Sequence, residues 1–127
     1  MKMRLAFAAL ALLAPAGAAA ADLLPLTRGI YVREGRACRG ASNVDTMSYG
    51  GGRNGLNISR MRCAIRRMTR RGQAYSLHRR CRELHYGGSV ADRIRVTIAD
   101  RRSFTLRTQF TPPRGARFRY CGARVQF

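Results

Sequence analysis

Carboxylates are what this 127-residue sequence has least of: 6 Asp and Glu stand against 25 Lys and Arg. Tryptophan is absent, histidine occurs twice, and every basic residue except Lys2 is arginine. Acid/base hydrolysis asks for two carboxylates in one cleft, one of them protonated. Scattered acids in a field of guanidinium groups fit that badly, because nearby positive charge lowers a carboxyl pKa and removes the acid form. The four cysteines contain no CxxC pair, and zinc sites usually draw their ligands in close pairs, so no metal is expected. No serine lies in a Gly-x-Ser-x-Gly frame, and Gly50-Gly51-Gly52 lacks the Gly-Lys-Ser/Thr ending of a phosphate loop, so it reads as a turn. His78 alternates with Arg80 opposite Leu77 and reads as a solvated strand residue; His85 sits in Leu84-His85-Tyr86-Gly87, at a strand end or turn. Neither has a nucleophile and an orienting group in view. No catalytic residue and no cofactor are expected.

Long apolar runs are also missing beyond residue 21. The one such run, Leu5 to Ala14, follows Lys2 and Arg4 and precedes Pro15, Gly17 and alanines at 18–21. That is the order of a secretory signal peptide, with a core too short to span a bilayer and small side chains where signal peptidase cuts. Residues 1–21 are therefore expected to be a leader removed before Asp22, and 22–127 a single domain, periplasmic or secreted. No cysteine stands at the cleavage site, so lipid anchoring is not expected.

Cys38, Cys63, Cys81 and Cys121 all follow the leader, and an even count in an oxidising compartment reads as two disulfides. Three connectivities are open. Cys63 and Cys81 lie symmetrically about Gly72 and could face each other across a hairpin. Direct links between adjacent strands are often strained, which favours joining each of them to one of the outer cysteines.

Period-2 alternation dominates what remains. Ile94, Val96 and Ile98 alternate with Arg93, Arg95 and Thr97; Phe104 and Leu106 with Thr105 and Arg107; Phe118 and Tyr120 with Arg117 and Arg119; Val125 and Phe127 with Arg124 and Gln126. Strands are predicted at 29–33, at two short stretches within 46–60 around a Gly-rich turn, and at 61–68 and 74–81 across 69–73. Further strands are expected at 92–99 and 103–108 across 100–102, and at 116–121 and 123–127. Thr69, Gly72 and the β-branched and aromatic residues that follow favour a hairpin over a basic helix at 60–71. The expected fold is all-β: a small antiparallel meander closed into a barrel or sandwich and braced by two disulfides.

Removing Lys2 and Arg4 with the leader leaves 23 arginines against all six acids, a net charge of +17. Most guanidinium groups then have no acidic partner within the molecule, and their mutual repulsion opposes compaction unless anions gather around it. Arg93, Arg95, Arg107, Arg117, Arg119 and Arg124 are expected on one outer face. A second cluster contains Arg60, Arg62, Arg66, Arg67, Arg70 and Arg71, continued by Arg79, Arg80 and Arg82. Guanidinium binds phosphate and carboxylate through paired hydrogen bonds. The anion-binding candidates are accordingly Arg62, Arg66, Arg80, Arg93, Arg95, Arg107, Arg117, Arg119 and Arg124.

Gly29-Ile-Tyr-Val32, Cys63-Ala-Ile65, Cys81 at a strand end and Phe118-Arg-Tyr-Cys121 give a layout that resembles small exported β-domain proteins of Gram-negative bacteria. The use of arginine in place of lysine fits a genome rich in G and C. In size and style the chain also resembles periplasmic lysozyme inhibitors with β-barrel folds. That function is not carried over, since lysozymes are usually cationic and would be repelled on approach. The expected function is non-enzymatic binding of anionic envelope components: lipopolysaccharide, phospholipid head groups or acidic glycans. The alternatives are sequence-independent nucleic-acid binding, through phosphate contacts alone, and a module for a specific protein partner.

Overall fold

The computed structural model describes residues 22–58 and 60–124. The expected leader, 1–21, lies outside the described residues, as do Ser59 and 125–127, where Val125 and Phe127 fall. Eight strands follow in order: β1 Gly29–Arg33, β2 Thr46–Tyr49, β3 Asn57–Ile58, β4 Met61–Arg71, β5 Ala74–Glu83, β6 Ser89–Asp100, β7 Ser103–Arg107 and β8 Ala116–Gly122. The only helical element among the described residues is the 3-10 turn Asn43–Asp45.

All pairings are antiparallel, and the order β3-β2-β1-β8-β7-β6-β5-β4 is that of an up-and-down meander bent round so that β8 meets β1. The sheet is a nearly closed barrel. Its one seam lies between β3 and β4. There the Gly55 N–H donates to the Cys63 carbonyl at 3.0 Å and the Ile65 N–H to the Arg53 carbonyl at 2.9 Å, while Asn54 bridges Ala64. Gly55 permits this approach: a Cβ there would lie 2.8 Å from Ile65 Cγ1.

The expected alternation decides which side chains face in. Ile94, Val96, Ile98, Phe104, Leu106 and Phe118 join Tyr31, Met47, Tyr75 and Leu77 in one buried core. Phe104 and Phe118 are cross-strand partners, stacked with ring centroids 5.2 Å apart. Such pairs are the units that hold a sheet's inner face. Leu24 and Leu26, in the lead before β1, are buried at 1% and 2% exposure and join the same core. This lead plugs the end of the barrel where the β2–β3, β4–β5 and β6–β7 turns lie. The Thr27 N–H donates to the Arg101 carbonyl, and the Tyr49 hydroxyl donates to the Leu24 carbonyl.

Most strand limits run beyond expectation, while β7 stops one residue short, at Arg107. β4 and β5 run on to meet at a two-residue turn, Gly72-Gln73, and β6 and β7 meet at Arg101-Arg102. The arginine-rich end of the β4–β5 hairpin stays in register because ladder hydrogen bonds continue past the last buried side chain, whereas the β6–β7 register shifts between Thr97 and Asp100. β8 ends at Gly122, so the strand expected from Ala123 onward does not begin there.

The disulfides are Cys38–Cys121 and Cys63–Cys81. The second corrects the expectation that each inner cysteine joins an outer one. Cys63 and Cys81 are register partners on β4 and β5. Cys63 spends its own N–H and C=O on Asn57 and Gly55 across the seam, so it faces Cys81 as a pair without mutual backbone bonds. Such pairs bring their Cα atoms closest, here 4.0 Å apart.

Candidate functional site: an arginine face on the barrel wall

Outward residues of β4 to β7 follow from the register. Arg62 stands opposite Arg82, Arg67 opposite His78, and His78 opposite Arg93; Arg95 stands opposite Arg107. Arg80 projects between Ala64 and Ala91. Arg66 is the extra residue where the β4–β5 register shifts between Ile65 and Arg67, and it too is exposed. A bulge of this kind adds one residue without a cross-strand partner and re-aims its side chain. Arg71, opposite Ala74, completes the set at the hairpin tip. The face thus carries nine exposed arginines: Arg62, Arg66, Arg67, Arg71, Arg80, Arg82, Arg93, Arg95 and Arg107.

No carboxylate lies on this face, because all six are engaged elsewhere. Asp22 pairs with Arg28 at 2.7 Å, Asp45 with Arg36 at 3.5 Å, Glu34 with Arg117 at 3.5 Å and Asp92 with Arg79 at 2.7 Å. Glu83 accepts from the Tyr86 N–H in the β5–β6 turn, and Asp100 accepts from Ser103 Oγ and the Arg102 N–H in the β6–β7 turn. The Arg28 hydrogen bond, with the Gly52 N–H, holds the Asp22 carboxyl below its ordinary range. The Ser103 hydroxyl and the Arg102 N–H do the same for Asp100. These acids shape turns and ends, and none of the nine arginines belongs to an ion pair among the described residues.

Six of the nine candidates read from the sequence, Arg62, Arg66, Arg80, Arg93, Arg95 and Arg107, lie on this face. Three do not join it. Arg117 is on β8 and meets Glu34. Arg119 donates to the Arg36 carbonyl at 2.8 Å, where the strap after β1 is tied down by Cys38–Cys121. Arg124 lies beyond β8, exposed and outside any strand. Two members of the second cluster lie on the inward side of their strands, Arg70 at the exposed hairpin end and Arg79 within the barrel. Arg70 stacks on Tyr75, its guanidinium carbon 5.2 Å from the ring centroid. Arg79 is buried at 3% exposure, contrary to its place in an outward cluster. Its Nε and one terminal nitrogen hold both Asp92 oxygens, at 2.9 and 2.7 Å, and its other terminal nitrogen donates to the Leu56 carbonyl.

Arg67, Arg71 and Arg82 stand in the second cluster read from the sequence but not among the nine candidates, although the alternation that selected Arg62 and Arg80 also selects Arg82. The bulge hides Arg67, since it breaks the alternation that would place Arg67 on the face with Arg62.

No protein-family model, curated protein or solved structure matches this chain. The arginine face is therefore read on its own chemistry. Two disulfides are in keeping with folding in an oxidising compartment. No helix among the described residues is long and apolar enough to cross a membrane.

Proposed function

We propose that this is an exported, non-enzymatic binding protein, periplasmic or secreted, whose arginine face on β4–β7 takes up anionic envelope material: lipopolysaccharide phosphates, phospholipid head groups or acidic glycans. The observation that carries the reading is the pairing of like charges. Arg62 faces Arg82 and Arg95 faces Arg107 across neighbouring strands, about 4.5–5.5 Å apart at Cβ. Like charges so placed destabilise a sheet. A bound polyanion removes that penalty and gains charge-assisted hydrogen bonds from the same groups. The face has no Phe or Tyr among its outward residues, so it offers arginine but no stacking platform for single-stranded bases.

Retention on phosphatidylglycerol liposomes and on immobilised lipopolysaccharide, at low and at high salt, tests the proposal. Binding that falls steeply with salt is expected, because exposed charges are screened over about 10 Å at 0.1 M. Binding that is indifferent to salt, or absent at both concentrations, overturns it. Preference for double-stranded DNA over either envelope surface at equal salt would assign the same face to phosphate backbones instead.

A further inference from the structure

The barrel is closed at one end and open at the other. The plugged end carries the Leu24 and Leu26 lead. The open end is ringed by the connections 34–45, 84–88 and 108–115 and by Arg60, all at the same end of an up-and-down meander. The exposed large apolar residues Val44, Ile58, Leu84, Tyr86, Val90 and Phe110 all fall in or beside these connections. Val44 is 81% and Phe110 88% exposed. Scattered exposed apolar side chains need no explanation, but Val44, Ile58 and Phe110 line one cavity together.

Behind this rim is a cavity of about 650 Å³, within the range of ligand pockets. Met47, Ile94, Leu106 and Phe118 form its inner lining, and Val44, Ile58 and Phe110 form its lip. An eight-stranded barrel is about the size that can hold one small ligand in its mouth. The charge of the cavity lining is one-sided. Asp92, the only carboxylate in the lining, is held by both oxygens on Arg79, so that pair is internally compensated. Arg33 and Arg93 also line the cavity, both exposed and in no ion pair among the described residues.

We infer that the open end binds one single-chain anionic amphiphile, its acyl chain inside the barrel and its carboxylate or phosphate at Arg33 and Arg93. Arg93 is shared with the outer face, but Arg33 and Phe110 lie off it, so tests at those two residues let the cavity stand or fall apart from the reading above. The apolar wall supplies affinity by removing chain methylenes from water. The two guanidinium groups select the sign of the head.

Calorimetric titration of the whole exported chain with laurate, dodecyl phosphate and dodecyltrimethylammonium, each below its micelle concentration, tests the inference. One-to-one binding of the two anions and at least tenfold weaker binding of the cation are expected. Arg33→Gln should weaken laurate binding about tenfold, the loss of one charge-assisted hydrogen bond. Phe110→Ser should weaken all three ligands alike. Arg95→Ser with Arg107→Ser should leave laurate unaffected while reducing retention on lipopolysaccharide. Failure to bind monomeric laurate, equal affinity for the cation, or binding only to intact vesicles would overturn the cavity site. The outer face would be judged separately by lipopolysaccharide retention.

Discussion

A guanidinium inside a barrel needs both its charge and its N–H groups answered, and Arg79 obtains both from Asp92 and the Leu56 carbonyl. Such a pair adds little over well-packed apolar residues, but removing one partner leaves the other charged and unpaired. Asp92→Ala is therefore expected to cost about 3 kcal/mol or more in urea unfolding. An Arg79→Met, Asp92→Leu double variant should recover most of that loss. Strict alternation would put Arg79 on the inward side with Leu77, but the run of neighbouring arginines groups it with the outward cluster. The partner that makes this tolerable lies 13 residues on, in another strand, where periodicity carries no information about it. Tyr31 gives a second residue-level prediction. Burial raises its phenol to about 12, against an ordinary 10.0. Below pH 10 both folded and unfolded chains hold it neutral; between 10 and 12 the unfolded chain ionises first. Stability should therefore decline as pH rises through that window. Burial raises Tyr49 as well, so phenolate absorbance should show more than one tyrosine titrating late, and the component near 12 should vanish in Tyr31→Phe.

Among the elements, the seam is the weakest join in the sheet. It is held by a few backbone bonds between 53–57 and β4 rather than by a full ladder. Gly55→Ala would push a methyl against Ile65, at a cost of about 1–3 kcal/mol. Amide exchange at Ile65 and Gly55 should accelerate in that variant far more than exchange along β6. The strap between β1 and β2 is held by Cys38–Cys121, which spans 83 residues of sequence. On loop-entropy grounds its removal by Cys38→Ser with Cys121→Ser should cost about 4–5 kcal/mol. Peptide mapping of the oxidised protein should recover Cys38 with Cys121 and Cys63 with Cys81. The strands from Asp92 onward were legible because every second residue is apolar and the intervening ones are Arg or Thr. The cysteine pairing was not, because it depends on which residues of β4 turn their backbone groups toward the seam. The plug was hidden for a similar reason: Leu24 and Leu26 alternate around Pro25 but have no strand partner to register against.

For the molecule as a whole, the ledger of charge matters more than its total. All six carboxylates are committed to turns, the strap, the plug or the barrel interior, which leaves the β4–β7 wall with arginine alone. A surface that is basic only through composition would weaken equally wherever arginine is removed. A built face weakens only when the face is altered. The deciding measurement compares two variants of equal net charge for salt-dependent retention on lipopolysaccharide. One carries Arg62→Ser, Arg82→Ser, Arg95→Ser and Arg107→Ser; the other carries Arg39→Ser, Arg53→Ser, Arg101→Ser and Arg114→Ser, all exposed and off the face. The face variant should lose at least an order of magnitude in affinity and show a shallower salt slope, with the control close to the parent protein. Equal losses in the two variants would contradict the account.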